Sequence, residues 1–364
     1  MIITTKSGER IKVTPYSGQP LLERGYTINL IKGPRGPGKT FFYKKRGIMR
    51  GYADPNKKMI WLRRYKTELD AEFKEKFLKD IVEAANDPDS DFTNYERKLF
   101  RNPHIEFKHK QIFFNDKHIG YFMPLAVTSG KKSNPFPDCS DIYFDEYLLH
   151  RKSQYHYLPD EFTTFMEFYS TVARARPNVR AYLIGNNMSW VDPYSIALGM
   201  RPTKTRFTAY TNPANGKANV LLEVYNDPEY TAAMYKTAIG EIVQGTAYGD
   251  YAFDNTALDA NGEFIAQKTK DAVFRFAIRY QGQWIGFWRD QKLGYMFVNR
   301  SVDLSSPCCY SLTRDDHTLN TYLVTQRRSV YNLRELAAMY KYGAVRFADE
   351  QVKAIALDIF EYLV

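Results

Sequence analysis

One eight-residue segment, GPRGPGKT at 33–40, constrains the fold more than any other part of the chain. It follows an apolar run, Tyr26 to Ile31, and precedes Phe41-Phe42-Tyr43, so it lies where a strand turns into a helix. In the pattern G-x-x-x-x-G-K-[ST], the glycines let the backbone approach phosphates closely. The amides that open the helix point at the anion, which the helix dipole also favours. The segment therefore predicts a nucleotide-binding phosphate loop.

The residue types in this loop have distinct predicted roles. Lys39 would neutralise the β- and γ-phosphates, and the Thr40 hydroxyl would hold Mg²⁺. The predicted ATP contacts in the loop are Gly33, Arg35, Gly36, Gly38, Lys39 and Thr40. The alternative is a Gly- and Pro-rich turn without a ligand, which the preceding strand and following helix disfavour. Taken alone, the loop is compatible with a kinase, a GTPase or a motor ATPase.

The charge of the chain is concentrated in the part that carries this loop. The 364 residues have a net charge of +10, to which residues 1–205 contribute +11, 206–254 contribute −3 and 255–364 contribute +2. This distribution favours a polyanion partner beyond ATP, although a generally basic surface gives the same count.

Cysteine usage and hydropathy narrow the class of protein. The three cysteines suit a reducing compartment and indicate neither a disulfide framework nor a zinc site. No apolar run is long enough to span a bilayer, and the first residues do not have the pattern of a signal peptide. We therefore expect no association with a membrane.

Strands and helices alternate through the first 205 residues, which is typical of an α/β fold with a mostly parallel sheet. The predicted elements after the loop are helix 41–52, strand 59–62, helix 67–85, a strand pair within 104–127, strand 142–144, helix 162–173 and strand 179–184. Ligands of such sheets bind beyond the carboxyl ends of the strands. We therefore expect the loop, Arg63-Arg64, Asp145-Glu146 and Asn186-Asn187 to converge.

The pattern changes near residue 206. Residues 206–254 are rich in Asn, Pro and Gly, with one predicted helix at 228–243, and are interpreted as a linker domain. Residues 255–364 predict an α+β domain with an antiparallel meander at 273–298 and helices at 332–342 and 349–363. The predicted ATPase domain is thus 1–205. No role is predicted for the first 20 residues, which suggest a short strand or hairpin, or for the Asp87–Asp91 loop.

Asp145-Glu146, at the end of a short apolar strand, supplies the acids that hydrolysis needs. Asp145 would hold the Mg²⁺ shell, and Glu146 would orient and deprotonate the attacking water. Such a pair is commonly only a solvated loop, so this interpretation depends on the phosphate loop. No acceptor-substrate motif is present, which favours an ATPase over a kinase.

Arg174, Arg176 and Asn186 are candidates for completing the site. Both arginines follow a predicted helix, where a cation can stabilise charge that develops on the phosphoryl group or can cap the helix C-terminus. Asn186 could sense the γ-phosphate, and a simple turn explains it equally well. The residues alone leave these alternatives open.

Several further motifs together resemble the DNA-packaging (encapsidation) ATPases of the small podophages, the picovirus group. They are WLRRYKTEL at 61–69, KKSNPFP at 131–137, IYFDEY at 142–147, STVARAR at 170–176, GNN at 185–187, QGTAYG at 244–249 and NLRELAAMYKYGAVRF at 332–347. The resemblance implies ATP- and Mg²⁺-dependent translocation of double-stranded DNA into a preformed procapsid. The implied machine is a homomeric ring, a pentamer by expectation, seated on the portal in the host cell cytoplasm. Whether a structural packaging RNA takes part stays open.

The resemblance also assigns roles to individual residues. Glu146 is the catalytic glutamate, Arg174 is the arginine finger that acts on the neighbouring subunit's ATP, and Asn186 couples hydrolysis to movement. Lys132 is similar to a lysine at the subunit interface, and it is a predicted ATP contact together with Arg63 and Arg64, which follow a predicted strand whose end converges with the loop. Lys66 and Lys131 are candidates for contacts with DNA phosphates.

The implied fold is a P-loop NTPase of the additional-strand, conserved-glutamate type, with a linker and a degenerate ribonuclease-H-like C-terminal domain. Arg275 and Arg279 stand where a two-metal nuclease needs carboxylates, and Asp271 and Asp290 alone do not make that site. We therefore expect no nuclease activity. The alternatives are another ring translocase or helicase, a nucleotide-gated DNA-binding assembly protein and, less favoured, a terminase that also cuts DNA.

Overall fold

The computed structural model describes residues 1–127, 136–149, 155–158, 160–186, 192–200, 203, 205–212, 214–254, 264–324 and 330–363. The chain divides into two compact units. Unit 1 consists of Met1–Met188 and Pro202–Leu258, and unit 2 consists of Ser189–Arg201 and Asp259–Val364.

The described secondary structure contains both strands and helices in each unit. The strands are β1 (Ile2–Thr4), β2 (Arg10–Lys12), β3 (Ile28–Gly33), β4 (Lys58–Arg63), β5 (Ile105–Lys108), β6 (Gln111–Phe114), β7 (Lys117–Pro124), β8 (Cys139–Asp145), β9 (Arg180–Asn186), β10 (Phe207–Thr211), β11 (Ala218–Val224), β12 (Val273–Tyr280), β13 (Gln283–Asp290), β14 (Tyr295–Asn299), β15 (Cys309–Ser311), β16 (Tyr322–Leu323) and β17 (Val345–Phe347). The helices are α1 (Gln19–Leu22), α2 (Lys39–Ala53), α3 (Ala71–Lys76), α4 (Lys79–Asn86), α5 (Asn94–Phe100), α6 (Glu161–Ala173), α7 (Pro193–Ala197), α8 (Pro228–Tyr235), α9 (Ala238–Val243), α10 (Ala247–Ala252), α11 (Tyr331–Lys341) and α12 (Glu350–Leu363). Two short 3₁₀ turns lie at Lys66–Leu69 and Leu125–Val127.

A nine-stranded sheet forms the centre of unit 1, in the order β10-β11-β3-β9-β8-β4-β7-β6-β5. The six strands from β11 to β7 are parallel, and β10, β6 and β5 add antiparallel edges. This confirms the predicted α/β layering with a mostly parallel sheet. The strand β3, which leads into the phosphate loop, is buried along its whole length, as is β8.

Helices cover both faces of this sheet. α2, α4 and α5 pack on one face, where Tyr43, Ile81 and Phe100 join a large buried cluster. α6 lies on the other face, where Phe165 stacks on Phe144 with ring centroids 6.1 Å apart. The parallel strands read as near-continuous apolar runs because both of their faces are buried.

Several boundaries differ from the prediction. The predicted helix at 67–85 is a 3₁₀ turn followed by α3 and α4, because the Asp70 side chain accepts a hydrogen bond from Phe73 N and starts a new helix. The predicted helix at 228–243 is split into α8 and α9, because Thr237 caps α9 in the same way through Gly240 N. α5 was not predicted, although a capping box between Thr93 and Glu96 marks its start.

The compact units also differ from the predicted division of the chain. Residues 206–224, predicted to belong to a separate linker, form β10 and β11, and β11 pairs in parallel with β3. α8, α9 and α10 belong to unit 1 as well. Composition alone predicts a linker here because the turns are rich in Asn, Pro and Gly, whereas the strand that joins the sheet is short. The first residues form the antiparallel β1–β2 hairpin, as predicted.

Unit 2 is built on a six-stranded sheet in the order β16-β15-β12-β13-β14-β17. β12, β13 and β14 form the predicted antiparallel meander, and β15, β16 and β17 pair in parallel with their neighbours. α11 and α12 pack against the sheet through a buried cluster that includes Phe276, Phe287, Leu336 and Ile359. Within the described residues of the chain, no helix combines the length and apolarity needed to cross a membrane.

The close approach of α2 to β7 gives a test of the packing that positions the phosphate loop. A Cβ at Gly51 would lie 2.5 Å from the Ile119 carbonyl oxygen, and backbone cannot move aside. At Gly47 the nearest atoms belong to side chains rather than to backbone: the Met59 sulfur at 2.5 Å and Cε2 of the buried Tyr143 ring at 2.8 Å. We expect Gly51→Ala to lower the free energy of unfolding by about 1–3 kcal/mol despite the better helix propensity of Ala.

Gly47→Ala is the matched control in the same helix, and its expected loss in denaturant unfolding is smaller. A Gly51→Ala protein as stable as the wild type would contradict the described approach of α2 to β7.

Candidate functional site

The phosphate loop is held at the carboxyl edge of the sheet. β3 ends at Gly33, and α2 begins at Lys39 with Gly38 as its N-cap. Gly36 and Gly38 have φ values of 99° and 103°, which L side chains rarely adopt. A Cβ at Gly38 would meet nothing nearer than 4.0 Å. The loop thus leads directly into the N-terminus of α2, which is the arrangement of phosphate sites at helix N-termini.

Lys39 carries a cation into the centre of this loop. Its ammonium donates hydrogen bonds to the Pro34 carbonyl oxygen and, at 3.4 Å, to Asn186 Oδ1. Burial lowers the pKa of Lys39 from 10.5 to about 7, although Asp145 and Glu223 favour the charged form. A phosphate placed beside this ammonium would raise its pKa again.

Thr40 and Asp145 meet beside Lys39 at the end of β8. The Thr40 hydroxyl donates to Asp145 Oδ1 at 2.9 Å, and Asp145 Oδ2 accepts from Arg63 Nη2 at 2.7 Å. Hydroxyl and carboxylate oxygens are the ligands that Mg²⁺ prefers, and this ion commonly takes one or two protein ligands and completes its shell with phosphates and water. The donor set therefore fits a nucleotide-bound Mg²⁺. Among the described residues, no cluster of three His, Cys, Asp or Glu side chains forms an all-protein metal site.

Glu146 projects outward at the same edge. Its backbone has a φ of 58°, which turns the chain sharply after β8, and its side chain is 60% exposed. Arg63 Nη1 donates to Glu146 Oε2 at 2.8 Å while Nη2 binds Asp145, so one guanidinium spans both predicted acids. Burial disfavours the charge on Arg63, but Asp145 and Glu146 raise its pKa overall. Arg63 thus lies among the predicted site residues.

Arg64, predicted as an ATP contact, has a different environment. Its side chain is fully buried, and its guanidinium binds both oxygens of buried Glu161, at 2.6 and 2.9 Å. It also donates to the carbonyl oxygens of Glu146, at 3.3 Å, and Tyr147, at 2.6 Å. We correct the prediction accordingly: the described contacts of Arg64 fix the turn that carries Glu146. Sequence adjacency suggested a shared role, but Arg64 follows the end of β4, and its guanidinium lies over the Phe144 ring whereas that of Arg63 lies over the Phe73 ring.

The two arginines after α6 have different environments. Arg176 donates to the carbonyl oxygens of Phe136, Pro137, Val172 and Ala173, so it caps the end of α6. Arg174 is exposed, has a φ of 39° and has no side-chain partner among the described residues. This loop precedes β9, at the edge where the parallel strands begin, so Arg174 lies at the opposite edge from the phosphate loop of its own chain.

Of the remaining predicted residues, only Lys66 lies within the part of the chain that the structure describes. Lys66 is exposed at the start of the 3₁₀ turn that follows β4, at the carboxyl edge. Lys131, Lys132 and Asn187 lie outside the described residues.

Sequence reasoning missed two contacts to the loop backbone. The Tyr230 hydroxyl donates to the Arg35 carbonyl oxygen at 2.8 Å, and Tyr16 N donates to the Pro37 carbonyl oxygen at 2.8 Å. The side chain of Arg35 itself is exposed. No local pattern marks either tyrosine, because both contacts join parts of the chain that are distant in sequence.

The acids of unit 2 have ordinary structural partners. Asp290 accepts hydrogen bonds from the Thr269 hydroxyl at 2.6 Å and from Leu293 N at 2.9 Å. Asp271 pairs with Lys292 at 3.0 Å, and Arg275 lies 3.9 Å from Glu335.

The low pKa of Lys39 predicts a proton linkage. Because a bound phosphate favours the charged ammonium, nucleotide binding should take up protons, and this uptake should be larger at pH 8 than at pH 6, on either side of the pKa of about 7. Above pH 7 the affinity for Mg-ADP should therefore fall as pH rises. Calorimetry in buffers of different ionisation enthalpy measures the uptake.

Lys57→Met, at an exposed position in the turn after α2, is the control and should leave this uptake unchanged. Equal heats in all buffers at pH 8 for the wild type would contradict the linkage.

Comparison with known proteins places this geometry in a family. The model of the podovirus DNA encapsidation protein (Gp16) family matches residues 12–363. The DNA packaging protein of Bacillus phage PZA is 31% identical over 95% of this chain and 96% of its own length, and that of Bacillus phage phi29 is 30% identical over the same shares. The solved bacteriophage phi29 viral genome packaging motor assembly contains a chain that matches with a TM-score of 0.68 and 28% identity, over 97% of this chain and 100% of that one. The chain belongs to the podovirus DNA encapsidation (Gp16) family.

Proposed function

We propose that this chain hydrolyses ATP to move double-stranded DNA into a preformed procapsid, as a homomeric ring, a pentamer, seated on the portal. The observation that carries the proposal is the meeting of Lys39, Thr40, Asp145 and Glu146 at one sheet edge, through the Thr40–Asp145 bond and the shared Arg63. Similarity to a viral genome packaging motor supports DNA as the polyanion. The proposed place of action is the host cell cytoplasm, transiently on the procapsid, with a structural packaging RNA as a further candidate partner.

Each residue of the edge has one proposed task. The amides that open α2, with Lys39, bind the phosphates, and Thr40 and Asp145 hold Mg²⁺. When bound, Mg²⁺ neutralises charge that develops on the phosphate oxygens. Glu146, exposed and on a sharp turn, orients the attacking water and accepts its proton. Asn186, within hydrogen-bonding distance of Lys39, reports the state of the γ-phosphate to β9.

The proposed arginine finger is Arg174, acting on the ATP of a neighbouring subunit. Two observations support this choice over Arg176. Arg176 is bound to four carbonyl oxygens, whereas Arg174 is exposed. Arg174 also lies at the sheet edge opposite its own phosphate loop, so it would complete a site only on another chain. Lys132 is proposed for the same interface.

The topology supports a finer fold proposal. One strand, β9, separates the phosphate-loop strand β3 from the acid-bearing strand β8, which fits the additional-strand, conserved-glutamate type. In unit 2, the β12–β13–β14 meander with parallel β15 and β16 fits a ribonuclease-H-like order.

We propose that this unit lacks nuclease activity, since Asp271 and Asp290 are engaged elsewhere and arginines occupy β12. Lys66 and Lys131 would grip DNA phosphates without reading sequence.

The decisive assay combines the chain with portal-bearing procapsids, double-stranded DNA and Mg-ATP. We expect ATP-dependent protection of the DNA from added nuclease, without strand separation or cutting. Lys39→Ala removes the phosphate cation and Glu146→Gln removes the base, so each should lower hydrolysis at least ~100-fold and abolish protection.

Glu75→Gln, at an exposed position of α3, is the matched control and should retain both activities. Unchanged hydrolysis after Lys39→Ala or Glu146→Gln would contradict the proposal. Strand separation without protection would favour a helicase.

Mixed rings test the arginine finger. Glu146→Gln subunits and Arg174→Ala subunits should each be inactive alone, whereas a mixture should regain part of the hydrolysis because some intact sites meet an intact Arg174. The rate of hydrolysis as a function of mixing ratio is the measurement.

Arg176→Ala serves as the comparison: it should lower the melting temperature through the lost capping bonds, while the folded fraction keeps hydrolysing. No recovery at any mixing ratio argues against action between subunits.

A further inference from the structure

The N-terminal hairpin β1–β2 packs against α8, the helix that carries Tyr230 to the phosphate loop. Ile3 and the adjoining Val13 form one buried cluster with Tyr230 and Ala233 of α8. Lys6 N donates to the Lys236 carbonyl oxygen at 2.9 Å. The family match begins only at residue 12, so most of this hairpin lies before it.

The Asp87–Asp91 loop holds the hairpin from its other side. Arg10 pairs with Asp89 at 2.9 Å, and Lys12 pairs with Asp91 at 3.4 Å. These pairs are exposed, so each is worth little by itself. Together with the cluster under Tyr230, they place the hairpin between the loop and α8. The two segments for which the sequence predicts no role thus contact each other.

Tyr230 connects this packing to the phosphate loop. Its side chain is 3% exposed, and its hydroxyl donates to the Arg35 carbonyl oxygen at 2.8 Å. Arg35 N in turn donates to the Ala252 carbonyl oxygen at 3.2 Å. A Cβ at Gly36 would lie 2.3 Å from the Tyr230 hydroxyl, so the loop and the tyrosine are in direct contact.

A second tie follows the hairpin in sequence. Tyr16, three residues after Val13, donates from its backbone N to the Pro37 carbonyl oxygen at 2.8 Å. Its ring is anchored edge-on against Tyr225, with centroids 4.8 Å apart, and its hydroxyl donates to buried Glu223 at 2.6 Å. The loop backbone is therefore held at residue 35 by Tyr230 and at residue 37 by Tyr16, and these two tyrosines belong to separate buried clusters.

We propose that the hairpin is a support for the phosphate loop and that Tyr230 is the positioning residue through which it sets nucleotide affinity. The loop must keep its amides convergent for phosphate binding, and any freedom it has without ligand is lost on binding. A loop that is already held at the Arg35 and Pro37 carbonyls loses less conformational freedom on binding than an unrestrained loop would. The inference rests on the proposed nucleotide site at 33–40, and it predicts effects on KM and Kd rather than on kcat.

The central test is Tyr230→Phe, which removes the hydroxyl bond and leaves the ring in its cluster. We expect KM for ATP and Kd for Mg-ADP to rise about two- to tenfold, the worth of one hydrogen bond. The turnover number and melting temperature should stay near wild type. Ile3→Ala, which loosens the support beneath the ring, should shift KM in the same direction.

Glu9→Gln, at an exposed position in the turn of the same hairpin, is the matched control with wild-type KM expected. A Tyr230→Phe protein with unchanged Kd overturns the inference, as does a lower melting temperature with unchanged KM in Ile3→Ala. Lys39→Met distinguishes a failure of the proposed nucleotide site from a failure of the proposed support. If Mg-ADP binding does not depend on Lys39, the nucleotide site itself fails, and if it depends on Lys39 but not on the Tyr230 hydroxyl, only the support fails.

Discussion

Hydrogen bonding between four buried parallel strands determines where the chemistry of this chain can occur. The register of β3, β9, β8 and β4 sets Gly33 opposite Asn186 and Asp145 opposite Ile184. Parallel strands of one sheet end on the same side, so a loop, two acids, an amide and an arginine from distant parts of the sequence meet there. The same rule sends the loop after α6, with Arg174, to the other side.

At the carboxyl edge, cations and acids lie side by side, and burial lowers the pKa of one of the cations. Arg63 binds both Asp145 and Glu146, and Lys39 lies beside Asp145. Burial lowers the pKa of Lys39, and a phosphate placed beside it would favour the charged ammonium again. Beneath them, Arg64 and Glu161 form a fully buried pair that fixes the turn after β8. Such a pair adds little net stability, but removing one partner leaves an uncompensated buried charge. It therefore holds Glu146 in a defined place at small energetic gain.

The sequence predicts the parts of the site whose chemistry is local. The glycine spacing of the loop, the acids that end an apolar strand and the alternation of strands and helices all depend on neighbouring residues. The strand order, the pairing of β11 with β3 and the contacts of Tyr16 and Tyr230 depend on residues distant in sequence, and composition carries no trace of them. Arg63 and Arg64 illustrate the limit: they are adjacent and identical in type, yet Arg63 binds Asp145 and Arg64 binds Glu161, and only the fold distinguishes them.

The central claim is that the carboxyl edge of unit 1 binds Mg-ATP with Lys39, Thr40, Asp145 and Glu146 as a set. The most direct measurement is a structure of the assembled protein with Mg²⁺, ADP and a planar fluoride mimic of the transferred phosphoryl group. We expect the fluoride between Lys39 and Glu146, Mg²⁺ on Thr40 and Asp145, and Arg174 of a neighbouring subunit at the fluoride. Nucleotide bound away from residues 33–40, or an unchanged direct Thr40–Asp145 bond with Mg²⁺ elsewhere, would contradict it.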